Sequence, residues 1–248
     1  MVEEALEPAG VDEVVIVNSH EKPQIERYFE RDEALEAYLE AHGKTREAEA
    51  IRAAGELPVS YVYQDEALGL GHAVLCASEK MDGDPFFVLL GDYFVPERQM
   101  NVRMAEVSAA HGGASVIAVA PVPADQVSRY GIIAGECIGS VDGTPVGEEE
   151  PGAVWHVTGL VEKPPVETAP SHLFIVGRYL LSPRVMQLLA DVKPGVGGEI
   201  QLTDALDAVL REEEMYALIV DPADGFDTGT VESWLETNNV LYQRKYGK

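Results

Sequence analysis

The sequence predicts an α/β fold: an open, doubly wound sheet that becomes antiparallel in its second half. Three observations carry that expectation. Strand-like and helix-like segments alternate through the first half, as they do where crossover helices join parallel strands. The most apolar run, Phe86-Phe87-Val88-Leu89-Leu90, is short and ends in Gly91-Asp92, which reads as the strongest core strand with a turn behind it. Beyond Ile132 the apolar runs shorten and alternate with Gly and Pro, the pattern of hairpins.

The elements follow in order. Val14 to Val17 is β-branched and follows Gly10 and Asp12, so it reads as a buried parallel strand. Lys22 to Glu30 reads as a helix. From Asp32 to Ala54, Leu35, Tyr38, Leu39 and His42 recur at helical spacing among charges, an amphipathic helical insertion. Val59 to Tyr63 is a strand and Gly71 to Met81 a helix. After Phe86 to Leu90 come a helix near Val102 to His111 and a strand at Ser115 to Val119. Ile132-Ile133, Ile138 and Val154 to Val161 are the hairpin pieces, followed by a strand at Phe174 to Leu181. Helices near Pro183 to Ala190 and Leu202 to Glu213, a strand at Tyr216 to Val220 and a helix from Val231 to Arg244 complete the chain.

A length of 248 residues at 46% hydrophobic content is enough for one large domain with a full core. No internal repeat or linker divides it, so residues 1–248 are expected to form a single unit. No run reaches the length of a membrane span, the first residues lack the basic, then apolar, then small-residue pattern expected of a signal peptide, and Cys76 and Cys137 form no disulfide framework. The expected location is the cytoplasm. The formal net charge of -25, from 43 acidic and 18 basic residues, repels polyphosphate backbones and argues against nucleic-acid binding. Only 7 of the basic residues are lysine, a bias consistent with salt adaptation or simply with solubility.

Several motifs imitate function. Gly43-Lys44-Thr45 lacks the upstream glycine and strand of a phosphate-binding loop, and reads as a helix end. Gly69-Leu70-Gly71 has Val74 where a dinucleotide fingerprint needs its third glycine. No nucleophile elbow or zinc-binding histidine pair is present, and the six histidines are scattered.

Ligands in open α/β sheets collect beyond the carboxyl ends of strands. Asp92 stands at such an end and suits a magnesium ion, which takes oxygen ligands and shares them with phosphates. Taken alone, it reads more simply as a turn residue. Asp227, in Phe226-Asp227-Thr228-Gly229-Thr230, also follows a strand, with a threonine helix cap as the plainer alternative. Lys163, in Glu162-Lys163-Pro164, projects where the proline stops a strand and can meet a phosphate. The commoner fate of such a dipeptide is an exposed ion pair. Gln64 and the loop Gly69 to Ala73 can offer an amide and close backbone approach to a planar base, or can simply turn. His72 reads as a capping or packing residue.

Taken together, these residues resemble a known family. Gly69-Leu70-Gly71-His72-Ala73-Val74-Leu75-Cys76-Ala77 looks like the uracil-binding loop and helix of bacterial-type UTP–glucose-1-phosphate uridylyltransferases, members of the sugar-nucleotide pyrophosphorylases. Tyr130-Gly131, Val161-Glu162-Lys163-Pro164, Ile175-Val176-Gly177-Arg178-Tyr179 and Gly198-Glu199-Ile200-Gln201-Leu202-Thr203-Asp204-Ala205 match it in order and rough spacing. The likeness covers essentially the whole chain.

The resemblance implies a Rossmann-like mixed sheet of the nucleotide-diphospho-sugar transferase type, with a nucleotide part at about 1–125 and a sugar part at about 126–248. It implies that Gln64, Gly69 and Gly71 hold uracil, that Asp92 and Asp227 hold Mg2+, and that Tyr130, Gly131, Glu162, Val176 and Gly177 line the sugar. Lys163 would meet the sugar phosphate, making Lys163 and Asp92 the catalytic pair. The implied partners are UTP, glucose 1-phosphate, UDP-glucose and further copies of the chain. The Asp-Thr-Gly-Thr segment looks closer to thymidylyl relatives, which leaves dTTP open as the nucleotide. The family also opens with a strand and a Gly-rich loop bearing an arginine and a lysine. This chain begins at residues that match the helix after that loop. The expectation is therefore an N-terminally truncated member, either a fragment from an internal start with little or no activity alone or a non-catalytic homologue.

Overall fold

The centre of the molecule is a pair of parallel strands, β5 (Ser115–Pro121) and β9 (Met215–Ile219), whose residues are almost all buried. The computed structural model describes residues 1–8, 10–96, 99–195 and 198–247. Around the central pair lies a mixed six-stranded sheet. Its order is β3 (Phe86–Leu89), β8 (Leu173–Leu181), β5, β9, β7 (Ala153–Glu162) and β6 (Gly131–Ser140). Two strands stand apart from it as a parallel pair, β1 (Val14–Asn18) and β2 (Val59–Tyr63), with Val14 opposite Val59. A short antiparallel pair, β4 (Tyr93–Phe94) with β10 (Phe226–Asp227), ties the end of the chain to the turn after β3.

Helices cover both faces of the large sheet, as the alternating pattern predicts. On one face α5 (Leu70–Cys76), α7 (Pro183–Leu189) and α8 (Leu202–Val209) bury Val74, Val185, Leu189, Leu202 and Leu206 against Ile117, Val119 and Tyr179. On the other face α6 (Met100–Ala110) buries Met104 and Val107 against Val116, Ala118 and Leu180. The expected hairpin pieces form one long antiparallel pair, β6 with β7, broken by two register shifts. The insertion folds as two packed helices, α3 (Glu33–Ala41) and α4 (Thr45–Gly55), separated at Gly43, whose φ of 72° ends the first. The remaining helices are α1 (Val2–Ala5), α2 (Pro23–Phe29) and α9 (Val231–Tyr246).

Three expectations are corrected. The run at Phe86–Leu89, expected to be the strongest core strand, lies at one end of the sheet among the described residues. Among the described residues it pairs only with β8, antiparallel, and its residues are half-buried. The parallel order expected of the first half appears in β1 with β2 and in β5, whose parallel neighbour β9 comes from the second half. An apolar run reports burial on two faces, but neighbours along the hydrogen-bonding direction come from other parts of the chain. The helix expected to reach Met81 stops at Cys76 and continues only as a single turn of tighter helix at Ser78–Lys80.

Among the described residues the buried acids are Glu4 and Glu36, and both are paired with arginine. Burial alone would raise the Glu36 carboxyl, but hydrogen bonds and charge from Arg31 and Arg52 hold it below the usual range. The other described acids lie at or near the surface, where their repulsion is screened by salt. The Debye length shrinks from ~10 Å at 0.1 M to ~3 Å at 1 M. Thermal unfolding should therefore move upward strongly between those concentrations of a salt that only screens. An unchanged melting temperature would contradict the self-repulsion account.

Candidate functional site

The two aspartates converge. Asp92 lies in the turn between β3 and β4, and Asp227 ends β10, directly opposite Tyr93. Thr228 fastens the two segments, donating its backbone N–H (2.6 Å) and its hydroxyl (2.8 Å) to the Asp92 carbonyl. Gly229 N–H donates to Asp227 Oδ1 at 2.7 Å, turning that carboxylate inward. A Cβ on Gly229 would lie 3.1 Å from Asp227 Oδ1 and 3.3 Å from Asp92 Oδ2, so both carboxylates face one small space. Both residues are exposed.

A buried guanidinium holds this turn from behind. Arg178 on β8 is fully buried and pairs with Glu4 of α1 at 2.7 and 3.1 Å. Its other hydrogens go to the carbonyls of Leu90 (3.2 Å), Gly177 (3.2 Å) and Tyr93 (2.7 Å). All five donors are thus engaged, and two of the carbonyls bracket Asp92. The Tyr93 ring lies under the cation, 5.5 Å away, and burial raises its phenol to about 12. Sequence reasoning missed this role. The signal was the two-residue period of β8, which puts Arg178 on the buried face with Val176 and Leu180.

The second group lies where β7 ends. Glu162 and Lys163 are exposed. Glu162 Oε2 accepts from the Thr203 hydroxyl at 3.0 Å, which joins the strand end to α8. Lys163 has φ 47°, the one positive value for a non-glycine among the described residues. A left-handed residue costs ~1–2 kcal/mol, and such strain persists where the surroundings impose it. Here the Lys163 N–H is held by the Tyr130 carbonyl at 3.1 Å, and Pro164 behind it is buried. The ammonium lies 3.7 Å from Glu162 Oε1, a loose exposed contact that leaves it available.

Tyr130 packs on Phe174, with ring centres 4.6 Å apart. Gly131 opens β6, where a Cβ would meet Glu162 Oε2 at 3.1 Å and Ile175 Cδ1 at 3.3 Å. Gly177 must also be glycine, with φ 75° and the Leu90 side chain 2.9 Å from where a Cβ would be. Val176 differs from the other candidates. Its side chain is buried in the core beside α6, so only its backbone is left to face a ligand. Buried Tyr179 links the two groups, because its phenol is raised by burial and then by the charges of Glu162 and Asp92.

The third group is the strand–loop–helix unit after β2. Gly69 (φ 96°) opens α5, and Gly71 N–H donates to the Ile200 carbonyl at 2.8 Å, while Ile200 N–H donates to Leu68. A Cβ on Gly71 would lie 2.7 Å from the Ile200 oxygen, and one on Gly69 2.9 Å from it. The glycines therefore let this loop dock on the 198–202 segment, which leads into α8 and Thr203. Gln64 Nε2 donates to the Gly69 carbonyl at 3.1 Å and contacts His72 Nδ1 at 3.0 Å. His72 thus partners Gln64, which local sequence did not indicate.

Magnesium fits the carboxylate pair. No group of three or more acids, histidines or cysteines that could hold a metal occurs among the described residues. Two carboxylates facing one space suit an ion that keeps waters and completes its shell with substrate phosphates.

Known proteins resemble this chain along most of its length. Residues 1–244 match the family model described as nucleotidyl transferase. A UTP–glucose-1-phosphate uridylyltransferase of Bacillus subtilis (strain 168) is 38% identical over 218 residues, 88% of this chain and 70% of the relative. A second such enzyme, from Staphylococcus saprophyticus, is 37% identical over 96% of this chain and 78% of its own length. Among solved structures, a UTP-bound UDP-glucose pyrophosphorylase from Acinetobacter baumannii superposes with TM-score 0.83 at 35% identity, covering 99% of this chain and 82% of that one. A UDP-glucose pyrophosphorylase in complex with UDP-glucose gives 0.81 at 32% identity, covering 98% and 85%. The fold, the order of the motifs and these likenesses agree, and the chain belongs to the nucleotidyl transferase family, among its UTP–glucose-1-phosphate uridylyltransferases.

Proposed function

We propose that this chain transfers the uridylyl group of UTP to glucose 1-phosphate, giving UDP-glucose and pyrophosphate. The observation that carries the proposal is the convergence of Asp92 and Asp227 on one space, with the buried Tyr179 phenol feeling the charges of both Asp92 and Glu162. In this reading a phosphate oxygen of glucose 1-phosphate attacks the α-phosphorus of UTP. The bond from that phosphorus to the bridging oxygen breaks, and pyrophosphate departs with its electron pair. The second ionisation of a phosphate monoester lies near pH 6, so the nucleophile is already charged and needs no general base. Positioning and charge neutralisation then supply the catalysis.

Asp92 and Asp227 would hold Mg2+, which when bound neutralises charge on the phosphates. Gln64 and the backbone at Gly69 and Gly71 would receive the uracil. Glu162, steadied by Thr203, would accept from sugar hydroxyls, beside Tyr130, Gly131, Gly177 and the Val176 backbone. Lys163 would leave its loose contact with Glu162 for the sugar phosphate. This assignment treats 1–248 as one domain, with the nucleotide at about 1–125 and the sugar at about 126–248. Two unpaired cysteines support a cytoplasmic setting, and among the described residues no helix is long and apolar enough to cross a membrane. We further propose that the chain works as a homo-oligomer in carbohydrate metabolism.

A pyrophosphate-release assay with UTP, glucose 1-phosphate and Mg2+ tests the function. Release that needs both substrates supports it. Saturable UDP-glucose binding without release favours a non-catalytic homologue, and neither release nor binding contradicts the site. Lys163→Ala should raise KM for glucose 1-phosphate about tenfold or more, the loss of one charged contact. Alanine keeps a Cβ and so keeps the left-handed strain, and the melting temperature should stay nearly constant. A large loss of stability with unchanged kinetics would remove Lys163 from the site.

A further inference from the structure

The amide of Gln64 is held by two acceptors, and only one of them is a backbone group. Its Nε2 lies 3.1 Å from the Gly69 carbonyl, which can only accept, so the nitrogen end of the amide must face it. The same Nε2 lies 3.0 Å from His72 Nδ1. For that contact to be a hydrogen bond, Nδ1 must be the unprotonated nitrogen and Nε2 must carry the ring proton. Both amide hydrogens of Gln64 are then engaged within the protein. The group left is Oε1, which makes no hydrogen bond among the described residues and can only accept. Without the histidine, one amide hydrogen would be free, and Gln64 could serve a donor or an acceptor on the ligand.

We propose that His72 is a positioning residue for base selection: by taking the second amide hydrogen of Gln64, it commits Gln64 to meet the base as an acceptor, which suits the N3–H of uracil. The proposal deepens the base-site reading above and rests on it. Cytosine has a bare, accepting nitrogen at position 3 and adenine one at position 1, so each would set a lone pair against Oε1. Thymine carries the same N3–H as uracil, so this device does not separate UTP from dTTP. The first turn of α5 places His72 three residues beyond Gly69, and the docking of Gly69 and Gly71 on Ile200 fixes that turn.

The test is the ratio of UTP to CTP affinity, titrated on the chain and on His72→Ala and His72→Asn. Asparagine can place Oδ1 where the histidine has Nδ1. The chain should prefer UTP, alanine should lower the ratio about tenfold or more, and asparagine should restore most of it. An unchanged ratio in His72→Ala, or an equal loss in His72→Asn, would overturn the role of His72 while leaving the base site standing. A chain that does not prefer UTP to CTP would overturn the base-site reading and this inference with it. Should His72→Ala fail to fold, long-range nitrogen NMR of the unaltered chain decides: an unprotonated Nδ1 on His72 supports the inference, and a protonated one overturns it.

Discussion

Replacing Arg178 with methionine is expected to lower the unfolding free energy by about 3–5 kcal/mol, the usual result of leaving one member of a buried ion pair alone. Glu4 would remain buried without its partner, and the carbonyls of Leu90 and Tyr93 would lose their donors. In a domain of this size the melting temperature should fall by about 10 °C. Arg178→Lys should rescue little, because an ammonium has three donors where five are used. Glu4→Ala should cost about as much, and the double variant Glu4→Leu with Arg178→Met should cost clearly less than the sum. Strict additivity in that cycle would show that the two side chains do not act as a pair.

The largest effect on activity is expected at the carboxylates. Asp92→Asn and Asp227→Asn each keep an oxygen, and with it the bond from Gly229 in the second case, but remove a charge from the shared space. Transfer should fall ~10²–10³-fold, the scale for losing one preorganised electrostatic partner. Stability should hold or rise slightly, since two like charges no longer face each other. Gly229→Ala tests the space itself. Its methyl would stand 3.1 and 3.3 Å from the two carboxylate oxygens, so it should weaken Mn2+ binding with every charge in place. Full metal affinity in Gly229→Ala together with either asparagine variant would place the metal elsewhere.

Much of this was legible in the sequence, and the rest was hidden for definite reasons. Asp92 and Asp227 could be marked because each follows a strand, but only the pairing of β4 with β10 brings them together across 134 intervening positions. The glycines at 69 and 71 could be marked as permissive, but the segment they admit, around Ile200, is far along the chain. Arg178 sits on the apolar face of β8, so its burial followed from period alone, whereas its partner Glu4 could not be found without the fold. Phe86–Leu89 read as the strongest core strand because its composition reports burial, yet it is half-buried, and composition says nothing about which strand lies alongside. At Val176 the motif resemblance says where the backbone runs, not that the side chain turns into the core.

The most direct measurement of the central claim is a crystal structure of this chain with UDP-glucose and Mn2+, the metal located by its anomalous signal. The uracil should lie at Gln64, Gly69 and Gly71, the sugar against Glu162 and the Tyr130–Gly131 edge, and the metal between Asp92 and Asp227. Nucleotide or metal bound stoichiometrically at any other surface would contradict the account.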